Sequence, residues 1–176
     1  AVADDGTLVY LPSVGVAGID QRGLVWVDRV TGEETPLAAA PRGYSRPRIS
    51  PDGTRVAVDI IAQELDIWIW DLNGETLTPL TLDVGPGPEQ SAVWTPNSQR
   101  VIYSSLRDLT AGLLWRAADG TGAAELLGER EGWRRYPLVV APDGNGVGAI
   151  LMKKKICPPR FLCNDPKRQR LHLPWR

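Results

Sequence analysis

The sequence predicts an all-β fold, and three observations support this prediction. No segment of the 176 residues shows a sustained 3.6-residue apolar stripe, so no amphipathic helix is expected. Short apolar runs rich in Val, Ile, Trp and Thr, the residue types that favour strands, alternate with turn sequences built on Pro, Asp, Asn and Gly. These runs and turns also repeat at a nearly constant spacing along residues 1–150. The chain is therefore expected to be a series of similar small sheets.

The repeat is clearest at a proline turn. Pro51, Pro96 and Pro142 occupy equivalent places in three related segments and are spaced by 45 and 46 residues. In the first copy, Pro presets φ at the second turn position, and Asp and Gly follow it. Each period contains four short apolar runs, which is the strand content of one β-propeller blade. The sequence predicts a partial β-propeller of about three four-stranded antiparallel blades.

Five tryptophans recur in the apolar runs of these periods. A four-stranded blade has two apolar faces and must stack on its neighbours, and tryptophan supplies large side chains for that packing. We therefore interpret these residues as core rather than as a platform for a ligand. They are Trp26, Trp68, Trp70, Trp94 and Trp115.

Four segments carry a family resemblance. The Ser-Pro-Asp-Gly turn at residues 50–53, the strand at 66–72 and the strand and turn at 114–122 resemble TolB-like propeller repeats, as does the segment at 23–29. They are similar in particular to the propellers found C-terminal to some bacterial serine/threonine protein kinases. The resemblance covers roughly residues 3–145 and implies a bacterial propeller module. Because the shared residues are turn and core positions, the resemblance implies no particular ligand.

The blade count leaves the ring incomplete. The sequence encodes strands two to four of one blade, two complete blades and the first one or two strands of another. Closed propellers have about four to eight blades, and exposed end strands invite pairing. Two alternatives follow: homodimerisation around a two-fold axis could complete six blades, or the chain is a fragment of a longer protein. The sequence favours the homodimer.

Composition divides the chain into a TolB-like body at 1–150 and a basic tail at 151–176. The body holds 12 Arg and no Lys against 20 acidic residues, whereas the tail holds eight basic residues and one acidic residue. This charge pattern favours docking of the tail on the body over binding of nucleic acid. No apolar run is long enough for a membrane helix, so no membrane partner is predicted. The compartment, cytoplasmic or extracytoplasmic, stays open.

Both cysteines lie in the tail. Cys157 and Cys163 could form a disulfide in an oxidising compartment, with free thiols as the alternative. Together with His172 they offer three metal ligands, one fewer than a structural zinc site requires. The sequence therefore predicts no metal site, and it predicts no other cofactor.

The sequence predicts no catalytic residue. It contains neither a Gly-x-Ser-x-Gly elbow nor a phosphate-binding Gly-x4-Gly-Lys loop, and its only histidine lies in the tail. One acidic cluster, formed by Asp59, Glu64 and Asp66, is not explained by a turn motif. It is interpreted either as a cation or substrate contact at a blade end or as a solvated loop.

The function predicted from these observations is non-catalytic binding or assembly, with a protein or peptide as the partner. Two alternatives stay open. One is a hydrolase that uses carboxylates lining the propeller channel, which would require two of them to converge. The other is a truncated or recombined propeller fragment without an evolved function.

Overall fold

The computed structural model describes residues 8–10, 21–62, 64–82, 87–106, 112–129 and 133–153, and all thirteen named elements within them are β-strands. These strands form four antiparallel sheets, two of which have four strands each. The first complete sheet runs in chain order through β4 (Gly43–Ile49), β5 (Arg55–Ile61), β6 (Leu65–Asp71) and β7 (Thr76–Pro79). The second runs through β8 (Glu89–Trp94), β9 (Arg100–Ser105), β10 (Gly112–Ala117) and β11 (Glu125–Glu129).

The two other sheets have fewer strands. Three strands form the first sheet of the chain: β1 (Leu8–Tyr10), β2 (Val25–Val27) and β3 (Glu34–Pro36). Two strands form the last one: β12 (Trp133–Val140) and β13 (Val147–Lys153). By their place in the repeat, these are strands two to four of one blade and strands one and two of another. The predicted all-β partial propeller is confirmed.

The proline turns form as the sequence predicts. Asp52 Oδ1 accepts hydrogen bonds from the Thr54 N–H at 3.0 Å and from the Ser50 hydroxyl at 2.6 Å. Gly53 follows with φ +71°, a left-handed conformation in which glycine has no steric penalty. The partial burial of Asp52 opposes its ionisation, but the bonds from Ser50 and Thr54 and the charge of Arg55 lower its pKa to about 2.

Two apolar cores lie between successive sheets. One joins the β1–β3 sheet to the β4–β7 sheet and includes Tyr44 and Trp70, and the other joins the two complete sheets and includes Trp94 and Tyr103. Trp70 and Trp94 are thus core residues as predicted, and Trp26 and Trp68 are partly buried against the first core.

Trp115 differs from the prediction, because it is half-buried in a side-chain pair outside both clusters. Its ring lies under the Arg100 guanidinium, 3.9 Å from the ring centroid.

Polar contacts also link the two complete sheets. Arg116, on β10, is buried and donates from Nη1 to the Leu80 carbonyl at 2.7 Å. At the proline turns, Arg55 Nη2 donates to the Ser98 carbonyl at 2.6 Å. These contacts add direction to the non-directional apolar packing and fix the stagger of one sheet on the next.

The last strand passes through the compositional boundary between residues 150 and 151, because β13 extends to Lys153. The remainder of the tail, including Cys157 and Cys163, lies outside the described residues. In the described part of the chain, no helix is long and apolar enough to cross a membrane.

Candidate binding groove

The first strands of three consecutive sheets, β4, β8 and β12, lie next to one another, and a groove follows them. The groove has two adjoining halves of about 470 Å³ and about 520 Å³, and Arg48 and Leu138 line both halves. In a propeller the first strand of each blade lines the central channel. The groove is therefore the portion of a channel wall that three blades can form.

The first half of the groove is mainly apolar. Three of its lining residues are the repeated turn prolines Pro51, Pro96 and Pro142, which the 45-residue period brings to one end of the groove. Trp94 also lines this half, and the side chain of Val139, which is 59% exposed, contributes further apolar surface. This half is suited to apolar side chains of a ligand.

The second half combines charge with apolar surface. Arg46 and Arg48 on β4 and Gln90 on β8 contribute polar groups. Across the groove lie Tyr136 and Ile150, which are register partners on β12 and β13 and so share one face of that sheet. Among the described residues, no carboxylate forms an ion pair with Arg48. Arg48 can therefore bind an anionic group of a ligand.

A backbone irregularity occurs in all three strands at the groove. The pairing register shifts between Ser45 and Arg48 in β4, between Gln90 and Val93 in β8, and between Pro137 and Val139 in β12. Such bulges bend a strand and redirect its side chains, and they are common next to functional sites. These positions were not predicted from the sequence. Prolines within two of the first strands, Pro47 and Pro137, were the available signal, because proline inside a strand indicates an edge or a bulge.

Two bulge residues adopt the left-handed conformation although neither is glycine. Arg46 has φ 49° and Ser91 has φ 62°, and they lie 45 residues apart at equivalent positions of the repeat. Non-glycine residues rarely adopt this conformation unless the surrounding structure stabilises it.

Asp59 supplies that stabilisation. Its side chain is fully buried, and its Oδ2 accepts hydrogen bonds from Arg46 Nη1 at 3.0 Å and from the Ser91 N–H at 2.9 Å. Burial raises the pKa of Asp59, against the bonds from Ser91 and Arg46, which favour the ionised form. Asp59 Oδ1 is buried without a hydrogen-bond partner among the described residues. Asp59 therefore links the bulges of β4 and β8 through a single carboxylate oxygen.

The structure gives the other two residues of the predicted acidic cluster different surroundings. Glu64 accepts a hydrogen bond from the Gly87 N–H at 3.1 Å, and Asp66 accepts one from the Thr81 hydroxyl at 3.2 Å. Within the described residues there is no group of three or more His, Cys, Asp or Glu that could hold a metal ion. The hydrogen bonds given above connect the three carboxylates to different partners, and those of Asp59 come from residues that line the groove.

Taken together, the sheets and the groove define a partial β-propeller, and comparison with solved structures assigns it to the TolB-like type of fold. The chain is similar to a structure named "putative TolB" from Agrobacterium tumefaciens, with TM-score 0.73 and 18% identity over 89% of this chain and 55% of that one. It is also similar to TolB from Acinetobacter baumannii, with TM-score 0.65 and 18% identity over 85% and 35%.

A third similar structure is the β-propeller domain of the Trilobed protease from Pyrococcus furiosus, with TM-score 0.52 and 16% identity over 70% and 38%. The chain therefore spans between about a third and just over half of the length of these structures. No protein-family model and no curated protein sequence matches the chain.

Proposed function

We propose that this protein is a non-catalytic binding module that holds a peptide segment of a partner protein in the groove along β4, β8 and β12. The observation that carries the proposal is Arg48, an exposed cation that lines both halves of the groove and that no described carboxylate neutralises. Leu138 also lines both halves and adds apolar surface to the groove. A peptide with an acidic side chain next to an apolar one would match both features.

The groove favours binding over hydrolysis. Among the described residues that line either half, none is Asp or Glu. A hydrolase that works through carboxylates needs two of them facing one cleft. Asp59 is a buried carboxylate that accepts hydrogen bonds from two groove residues, Arg46 and Ser91. Its geometry supports a role in positioning groove residues rather than in attacking a substrate.

The test is direct binding of synthetic peptides to the full chain. Three fluorescein-labelled Gly-Ser peptides, carrying Asp-Leu, Lys-Leu or Asp-Ser at the centre, would be titrated and followed by fluorescence anisotropy. We expect the Asp-Leu peptide to bind most tightly, and its affinity to fall as salt screens the contact with Arg48. Equal affinity for the Asp-Leu and Lys-Leu peptides would contradict the proposal.

Arg48→Glu should weaken binding of the Asp-Leu peptide by about tenfold or more, because an attractive contact becomes a repulsive one. The matched control is Arg29→Glu, which makes the same charge change at an exposed position after β2, outside the lining of the groove. The control should bind as the unmodified protein does. Equal losses in the two variants would indicate an effect of net charge and would overturn the assignment to the groove.

A further inference from the structure

The outer edge of β13 has the features of a strand-pairing site. β13 pairs with β12 along seven register positions, and no other described strand pairs with it. In the complete sheets the equivalent strands, β5 and β9, each lie between two neighbours. β13 also exposes Ile150, Leu151 and Met152 to between 45% and 53%. A long apolar strand with an open edge is a template for pairing with another strand.

The opposite end of the described structure has the complementary gap. Among the described residues, the β1–β3 sheet has no counterpart of β4 or β8, the strands that open the complete sheets and line the groove. Its first strand, β1, is short and is held to β2 by three register pairs. One end of the structure thus presents the inner two strands of a blade, and the other end presents the outer three.

We propose that a second copy of this chain joins these two ends. β12 and β13 of one copy and β2 and β3 of the other would form one four-stranded antiparallel sheet. Two such joins around a two-fold axis give a closed ring of six sheets, from two complete sheets per copy and two shared ones. This number lies within the range of about four to eight blades found in closed propellers.

This shared sheet requires β1 to dissociate from β2, because β1 and β13 are both the second strand of a blade. β13 has seven register pairs with β12, whereas β1 has three with β2, so β1 is the strand that leaves. Each β1–β2 pairing is replaced by a β13–β2 pairing between copies, so the number of strand pairs is unchanged. The gain is the covering of the apolar side chains of β13, as in domain-swapped dimers.

The length of a single-chain relative of the fold supports a second copy as the occupant. This chain matches 55% of the length of the Agrobacterium structure with a TM-score of 0.73, so two copies together have about the length of that one chain. A second copy would also close the open side of the groove. The proposal does not depend on which ligand the groove binds.

The experiment is sedimentation velocity of the full chain between about 1 and 100 µM, a range in which dimers of ordinary affinity dissociate and re-form. We expect a species of twice the chain mass of 19.2 kDa at the upper concentrations. Leu151→Lys should weaken the dimer by about tenfold or more, because lysine on an edge strand opposes pairing. Leu151 does not line the groove, so the variant leaves the peptide site intact.

The matched control is Leu82→Lys, since Leu82 is a comparably exposed leucine (55%) beyond the end of β7, away from both proposed ends. It should dimerise like the unmodified protein. If Leu151→Lys fails to fold by circular dichroism, Leu151→Gln replaces it, because Leu151 is the exposed β13 residue of the three that does not line the groove. A monomer at every concentration, or equal dimer affinity in Leu151→Lys and Leu82→Lys, overturns the proposal. Arg48→Glu should keep the dimer mass while losing peptide binding, which separates this proposal from that of the groove ligand.

Discussion

Trp94→Ala is expected to lower the free energy of unfolding by about 3–5 kcal/mol, the usual range for removing a large aromatic side chain from a core. Trp94 lies between the two complete sheets and is 6% exposed. Its Nε1 donates to the Arg48 carbonyl at 2.9 Å, and its ring lies under the Arg55 guanidinium at 5.1 Å. The substitution removes apolar burial, a hydrogen bond and a cation–π contact together. Urea denaturation followed by circular dichroism measures the loss.

Trp115→Ala is the matched control for this experiment. Trp115 also lies under an arginine and also donates from Nε1, to Glu125 Oε2 at 2.9 Å, but it is half-buried and outside both cores. Its removal should cost about 1–2 kcal/mol. A loss at Trp115 equal to that at Trp94 would contradict the assignment of the core. Trp94→Phe should recover part of the loss, because it retains an apolar ring without the indole N–H.

The repeat was sufficient to predict the sheets. Turn chemistry at Pro51-Asp52-Gly53 is local in sequence, and a related Pro-Asn turn returns after 45 residues, so strand order follows from spacing alone. The end of β13 was less predictable. The change in composition at residue 151 indicated a boundary, yet β13 extends through it to Lys153, because Leu151 and Met152 continue the apolar strand.

The groove could not be predicted in the same way. Arg46 and Ser91 line it because bulges redirect them, and neither residue carries a sequence signal for a left-handed conformation. Asp59 was identified as a candidate, but its burial depends on β8, whose Ser91 N–H lies 32 residues further along the chain. Contacts between sheets of this kind are set by tertiary packing, whereas periodicity describes one element at a time.

Substitution of Asp59 should have the second largest effect on the free energy of unfolding, because Asp59 supports two strained residues at once. Asp59→Ala leaves the Ser91 N–H and the Arg46 guanidinium without their acceptor and should cost about 2–3 kcal/mol. Asp59→Asn retains an oxygen that can accept both bonds and should cost less. Asp59 links the bulges of β4 and β8 that shape the groove. Asp59→Ala should therefore also weaken binding of the Asp-Leu peptide, and Asp59→Asn should retain much of the affinity.

The stability difference between the unmodified protein and Asp59→Asn should change with pH in a fixed direction. Burial raises the pKa of Asp59 above its ordinary value of 3.8, so the folded state holds this proton to higher pH than the unfolded state does. The resulting stabilisation is complete below the ordinary pKa and is lost as pH rises through the raised one. Urea denaturation at a series of pH values from about 4 upward should therefore show the advantage of aspartate over asparagine shrinking with rising pH and then levelling.

Asp52 should show a pH dependence of stability with the opposite sign in the same experiment. Its pKa is lowered to about 2, so the stability that it contributes is present above its ordinary pKa of 3.8 and is lost as pH falls toward the lowered value. The difference in free energy of unfolding between the unmodified protein and Asp52→Asn should consequently be constant from about pH 5 upward. In that range the corresponding difference for Asp59→Asn should still change. A difference for Asp59 that grows with rising pH would mean that the bonds from Arg46 and Ser91 outweigh burial. The carboxylate would then lock the two bulges more firmly when ionised, and the groove would be most rigid at neutral pH.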